Sequence, residues 1–87
     1  MMIVKNATAG TLESSDVYVQ IAPGKGLDIQ LESVVLNQFG ESIEATVRSV
    51  LEQFNIDSVK VNVVDRGALD CVIRARVETA ILRGKGE

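Results

Sequence analysis

Three stretches of strict alternation constrain this chain more than any other feature. Val17, Val19 and Ile21 alternate with Tyr18 and Gln20; Leu27, Ile29 and Leu31 with Asp28, Gln30 and Glu32; Val59, Val61 and Val63 with Lys60 and Asn62. A period of two puts successive side chains on opposite faces of a strand, so each run reads as a strand with one buried and one wet face. The branched residues favour the pleated, half-buried surface such a strand presents. A sheet of this kind needs cover on one side, and the chain supplies it. Leu36, Phe39, Ile43, Val47, Val50, Leu51 and Phe54 recur at helical spacing, as do Leu69, Val72, Ile73, Val77, Ala80 and Ile81. The first stripe is strongest over 41–54, with Ser33 or Asn37 as its expected cap. Asp65 is placed to help the start of the second helix, and Gly84 to end it.

The expected element order is ββαβα, an α+β fold in one small domain. Pro23 and Gly24 to Gly26 read as the turn of a hairpin spanning 16–33. A right-handed crossover through the first helix then returns the third strand beside the first, giving a three-stranded sheet of order 2-1-3 with both helices on one face. Residues 1–87 form the domain, with 16–83 as its folded core. Residues 1–15 carry no sustained apolar period and are expected to be a flexible N-terminal segment.

Composition removes several functions. Eighty-seven residues leave no room for a second domain, and with 3% aromatics the core must be aliphatic. A net charge of −3 lacks the basic footprint of a nucleic-acid binder. No apolar run reaches the roughly 18 residues of a membrane span, and the N-terminus lacks the pattern of a secretory signal, so a cytoplasmic protein is expected. A single cysteine, Cys71, suits a reducing compartment, and with no histidine a metal site is not expected. Cys71 reads as a small, semi-buried helix residue rather than a reactive thiol. Arg74, Arg76 and Arg83 read as partners of Asp70 and Glu78 along the second helix.

Adjacent serines, Ser14 and Ser15, stand between Glu13 and Asp16 just ahead of the first alternation. The absent histidine takes away the usual base of a nucleophilic serine, and phosphohistidine transfer with it. No catalytic residue is expected. Two readings stay open on the residues alone: a polar turn bonding its own backbone, or an exposed hydroxyl modified by another enzyme.

The block Ala9-Gly10-Thr11-Leu12-Glu13-Ser14-Ser15-Asp16 resembles the N-terminal segment of the acyl carrier (γ) subunits of bacterial citrate lyase. Asp65-Arg66-Gly67-Ala68-Leu69-Asp70-Cys71, continuing through Ile73-Arg74-Ala75-Arg76 and Glu78, is similar to that family's second marked segment, with Gln38-Phe39-Gly40 between them. The resemblance implies that Ser14, directly after Leu12-Glu13, bears 2'-(5''-phosphoribosyl)-3'-dephospho-coenzyme A through a phosphodiester, which makes 1–15 the segment that bears the prosthetic group. It implies a carrier of acetyl and citryl thioesters, itself non-catalytic, in the cleavage of citrate to acetate and oxaloacetate. The implied partners are the α (acyl transferase) and β (acyl lyase) subunits, a holo-carrier synthase that attaches the group, and an acetylating ligase. The carrier of a related lyase acting on citramalate would look much the same, and an unmodified α+β interaction module is the alternative of another class.

Overall fold

The computed structural model describes residues 2–34 and 36–85. The chain runs β1 (Ala7–Gly10), β2 (Val17–Ala22), β3 (Leu27–Ser33), α1 (Leu36–Gln53), β4 (Val59–Asp65) and α2 (Asp70–Gly84). The α+β class and the three expected strands stand. Neither expected cap of α1 stands at the helix start: Ser33 is the last residue of β3 and its hydroxyl donates to Asp65 Oδ2 at 2.7 Å, and Asn37 lies inside α1.

The sheet differs from expectation in strand number and order: it has four strands, β1-β2-β4-β3. β2 and β3 do not form a hairpin. β4 lies between them, antiparallel to β2 from Val17↔Asp65 to Ala22↔Lys60 and parallel to β3 from Leu27↔Val59 to Ser33↔Asp65. The β2–β3 connection therefore arches across the first residues of β4, where Gly26 O accepts the N–H of Val59 at 2.9 Å. Gly24 is the point of close approach, since a Cβ there would stand 3.1 Å from Lys60 N and from Val59 C. Of the glycines that looked like a tight turn, Gly24 gives room for a bridge across a strand and Gly26 supplies a left-handed φ of 71°. Strand composition explains who sits where: Val59, Val61 and Val63 are fully buried, whereas β3 places Asp28, Gln30 and Glu32 in solvent, as suits an edge strand.

The folded part also begins earlier than residue 16. Ala7–Gly10 pairs antiparallel with β2, Ala7 opposite Ile21 and Gly10 opposite Tyr18. Ahead of it, Ile3 is buried, and the N–H groups of Val4 and Lys5 both donate to Gly84 O at 3.0 and 3.2 Å. Residues 3–10 therefore belong to the packed and hydrogen-bonded part of the domain instead of preceding it. A strand of four small residues shows no alternation long enough to be read.

Rows such as Ala9-Val19-Val63-Leu31 and Ala7-Ile21-Val61-Ile29 cross the inner face of the sheet. Ile43, Val47, Val50 and Leu51 of α1 and Ile73, Val77, Ala80 and Ile81 of α2 pack on that face in one aliphatic core. α2 lies against β1 and β2, α1 reaches β3, and the helices touch each other. Three stripe residues depart from expectation. Phe54 is only partly buried because the helix ends at Gln53, while Phe39 and Leu69, at the starts of α1 and α2, are 53% and 72% exposed.

Leu51→Ala is expected to destabilise the domain by about 2–5 kcal/mol, the range for a fully buried leucine. Phe54→Ala should cost less than about 3 kcal/mol, below the usual range for a buried ring, because solvent already reaches it. Urea melts of both variants check the order, and equal losses would place Phe54 in the core.

Candidate functional site

Residues 11–16 connect β1 to β2 and carry both serines. The backbone on each side of the loop is tied down. Gly10, at φ +89°, brings the chain so close to β2 that a Cβ there would stand 1.8 Å from Val17 O, so glycine alone fits. At the other end the β2–β4 ladder continues beyond its last strand pair: Arg66 N–H donates to Asp16 O at 2.9 Å and Ser15 N–H to Arg66 O at 2.8 Å. Ser15 takes a left-handed φ of 65° to do so. A further backbone bond, Asp16 N–H to Glu13 O at 3.2 Å, closes the turn around Ser14.

Asp16 is the hub of the loop. Its carboxylate accepts from Thr11 Oγ1 at 2.6 Å, from Val17 N–H at 2.7 Å, and from Arg76 Nε and Nη2 at 3.1 Å each. Thr11 Oγ1 in turn accepts the N–H of Glu13 at 3.2 Å. The Thr11 hydroxyl first, then the Val17 amide and the Arg76 guanidinium, hold the Asp16 carboxyl down from an ordinary 3.8 to about 2, against the opposing effect of its partial burial. Arg76 therefore does not pair along its helix as expected; its fork reaches across to a residue sixty positions earlier. Arg83 does likewise, donating to Thr8 O at 2.9 Å, so α2 clamps both β1 and the loop. Of the expected helix pairs, Arg74–Asp70 forms at 3.3 Å between exposed groups.

Ser14 and Ser15 are both exposed, and none of the hydrogen bonds that hold the loop uses a serine hydroxyl. They differ in backbone: Ser15 is bonded to β4's continuation, whereas Ser14 sits at the turn between Glu13 and Ser15. Cys71 is exposed rather than semi-buried, because the buried side of α2 runs through Ile73, Val77 and Ala80 and leaves position 71 outside. Among the described residues no His, Cys, Asp or Glu cluster has a metal-site arrangement, and no helix is long and apolar enough to cross a membrane. The Asp16–Arg76 fork and the close approach at Gly10 were not legible in the sequence. Both depend on partners brought in by the fold, and only the flanking position of Asp16 pointed toward them.

Two outcomes follow. Gly10→Ala should destabilise the domain by well over the roughly 1 kcal/mol of an ordinary glycine effect, since backbone must move to admit the methyl group; a chemical melt reads this. Asp16, with its folded pKa below its unfolded one, contributes stability that is complete above about pH 4 and is lost as pH falls through about 2. A carboxyl carbon titration by NMR should find Asp16 as the low outlier, and Thr11→Val should raise it. An ordinary Asp16 titration would show the fork to be absent in solution.

Comparison with known proteins agrees with this geometry. A family model described as the malonate decarboxylase delta subunit matches residues 4–84. The citrate lyase acyl carrier protein of Haemophilus influenzae strain PittEE is 56% identical over 87 residues, covering all of this chain and 92% of that one. Its counterpart from Latilactobacillus sakei subsp. sakei strain 23K is 50% identical over 88 residues, covering 100% and 87%. A chain in the crystal structure of a Pseudomonas malonate decarboxylase hetero-tetramer in complex with malonate shares the fold, with a TM-score of 0.80 at 23% identity over 91% of this chain and 82% of that one. From its N-terminal segment to the last turn of α2, the chain belongs to the family of the citrate lyase acyl carrier protein and the malonate decarboxylase delta subunit.

Proposed function

We propose that this chain is the non-catalytic carrier of citrate lyase, with 2'-(5''-phosphoribosyl)-3'-dephospho-coenzyme A joined to Ser14 by a phosphodiester. The assignment rests on Ser14's place directly after Leu12-Glu13 in the block that resembles the family, and it is supported by the residue's exposure at the turn of a loop held on both sides. The loop fits such a group. A hydroxyl without a structural duty is available for esterification, and the exposed Arg66 lies on the chain segment bonded to Ser15.

The chain's own residues account for its passivity. Forming the phosphodiester requires removing the Ser14 proton; of the loop's two carboxylates, Glu13 is exposed to solvent and Asp16 is held near a pKa of 2 by four donors, which makes it a poor base. With no histidine in the chain, the base must come from the holo-carrier synthase, together with an activated phosphoryl donor. Once attached, the group supplies a thiol at the end of a long arm, on which acetyl and citryl are held as thioesters while citrate is cleaved to acetate and oxaloacetate. The domain presents that arm to the α subunit for acyl exchange, to the β subunit for cleavage, and to the acetylating ligase for priming. Identity of 56% over the whole length to a citrate lyase carrier is what favours citrate over citramalate. A cytoplasmic location accompanies this role.

Co-expression with the synthase followed by intact mass and peptide fragmentation tests the site. Ser15→Ala should gain the adduct, whereas Ser14→Ala should keep its apo mass, a normal fold, and no citrate cleavage after reconstitution. An adduct on Ser14→Ala would transfer the role to Ser15 or Cys71. Cleavage of citramalate in preference to citrate would reassign the complex.

A further inference from the structure

The end of the molecule that carries Ser14 has a second feature. The connections after β1, β3 and β4 meet there, because Tyr18 pairs with Gly10, and Val17 and Ser33 both pair with Asp65. Between the first turns of α1 and α2 lies a groove of about 380 Å³ walled by Phe39, Ile43, Leu69 and Ile73, with Ser42 and Asp70 supplying polar groups. Its lining includes Gly67, next to the Arg66 whose carbonyl accepts the Ser15 N–H. The groove thus opens beside the serine loop. Phe39 and Leu69, which helical periodicity assigned to the core, are instead exposed along it.

Resting on the assignment of Ser14 as the attachment point, we infer that this groove seats the adenine ring of the prosthetic group. Size limits the occupant: ligand pockets run from about 300 to 1,000 Å³, so this one takes a single ring system and not the whole arm. Chemistry narrows it further. An aromatic ring and branched aliphatic walls suit a flat heterocycle, and the Asp70 carboxylate and Ser42 hydroxyl are acceptors for an exocyclic amine. Reach agrees, since only the phosphoribosyl unit and one further ribose separate the serine from the adenine, whereas pantetheine lies beyond a diphosphate. No Lys or Arg is among the described residues that line the groove, so nothing there takes a diphosphate or an acyl carboxylate, which leaves the charged, acyl-bearing part of the arm outside. A seated adenine moves the pivot of the arm from the serine to the groove and confines the thiol to the sweep of the pantetheine, raising its effective concentration at a partner docked on this end.

The full chain loaded by its synthase provides the test. Peptide fragmentation locates the adduct, and NMR reads the groove. Nuclear Overhauser contacts from adenine H2 and H8 to the Phe39 ring and the Leu69 methyls are expected, with apo-to-holo amide shifts concentrated at residues 39–43 and 67–73. Leu69→Ser, a change at an exposed position, should leave the adduct and the remaining spectrum intact and reduce the adenine contacts at least threefold. An adduct on Ser14 without adenine contacts in the groove, pantetheine contacts in their place, or contacts unchanged in Leu69→Ser would overturn the proposal. An adduct elsewhere would overturn the Ser14 assignment first, and the proposal with it.

Discussion

Val59, Val61 and Val63 have no exposed surface because β4 has a strand on each side and the two helices across one face. The other elements depend on that central position. β3 has no other described strand neighbour, and β2 would otherwise have only the four residues of β1. The pairs that seat β4 therefore join residues distant in sequence, such as Val19↔Val63 and Leu31↔Val63, with α1 lying between them in the chain. The arching β2–β3 connection and the glycine at its closest approach are consequences of making room for a strand that arrives later in the chain. The exposed edges are blunted differently, β1 by shortness and β3 by charge.

Period two and period three-and-a-half are properties of single elements, and those were legible: all three long strands, both helices and the buried face of each follow from them. Which strands are neighbours is a property of pairs, and local pattern is silent on it. The Pro23–Gly26 stretch resembled a hairpin turn because turns and bridges both call for residues without steric bulk. β1 escaped because Ala-Thr-Ala-Gly offers no apolar contrast for alternation to reveal. Phe39 and Leu69 fit their helical stripes, yet they stand at the starts of α1 and α2 and are exposed. Periodicity gives the direction in which a side chain points and says nothing of how far its partner surface extends.

The proposed site comes from the resemblance of one block, and the fold supplies a physical reason for most of that block's residues. Ala9 is buried under α2's side of the sheet, Gly10 admits the Val17 carbonyl, Thr11 and Asp16 close the loop, and Ser15 adopts the left-handed turn. Leu12, Glu13 and Ser14 are left exposed, with no comparable structural duty for their side chains. In such a block the residue that bears a modification is to be sought among those the fold leaves idle.

That division bears on how a carrier of this kind works. A swinging arm on a loose tether would lose conformational entropy each time a partner captured it, whereas a tethered arm on a fixed base loses only the arm's own. Here α2 reaches across the sheet with Arg76 and Arg83 to fix the base, and Asp16, the residue nearest in character to a catalytic acid or base, is fully engaged in holding the loop. The fixed base and the loop's lack of a built-in base thus share an origin: the ion pair and hydrogen bonds that hold the loop also engage the carboxylate of Asp16, leaving only the solvent-exposed Glu13 beside the serines.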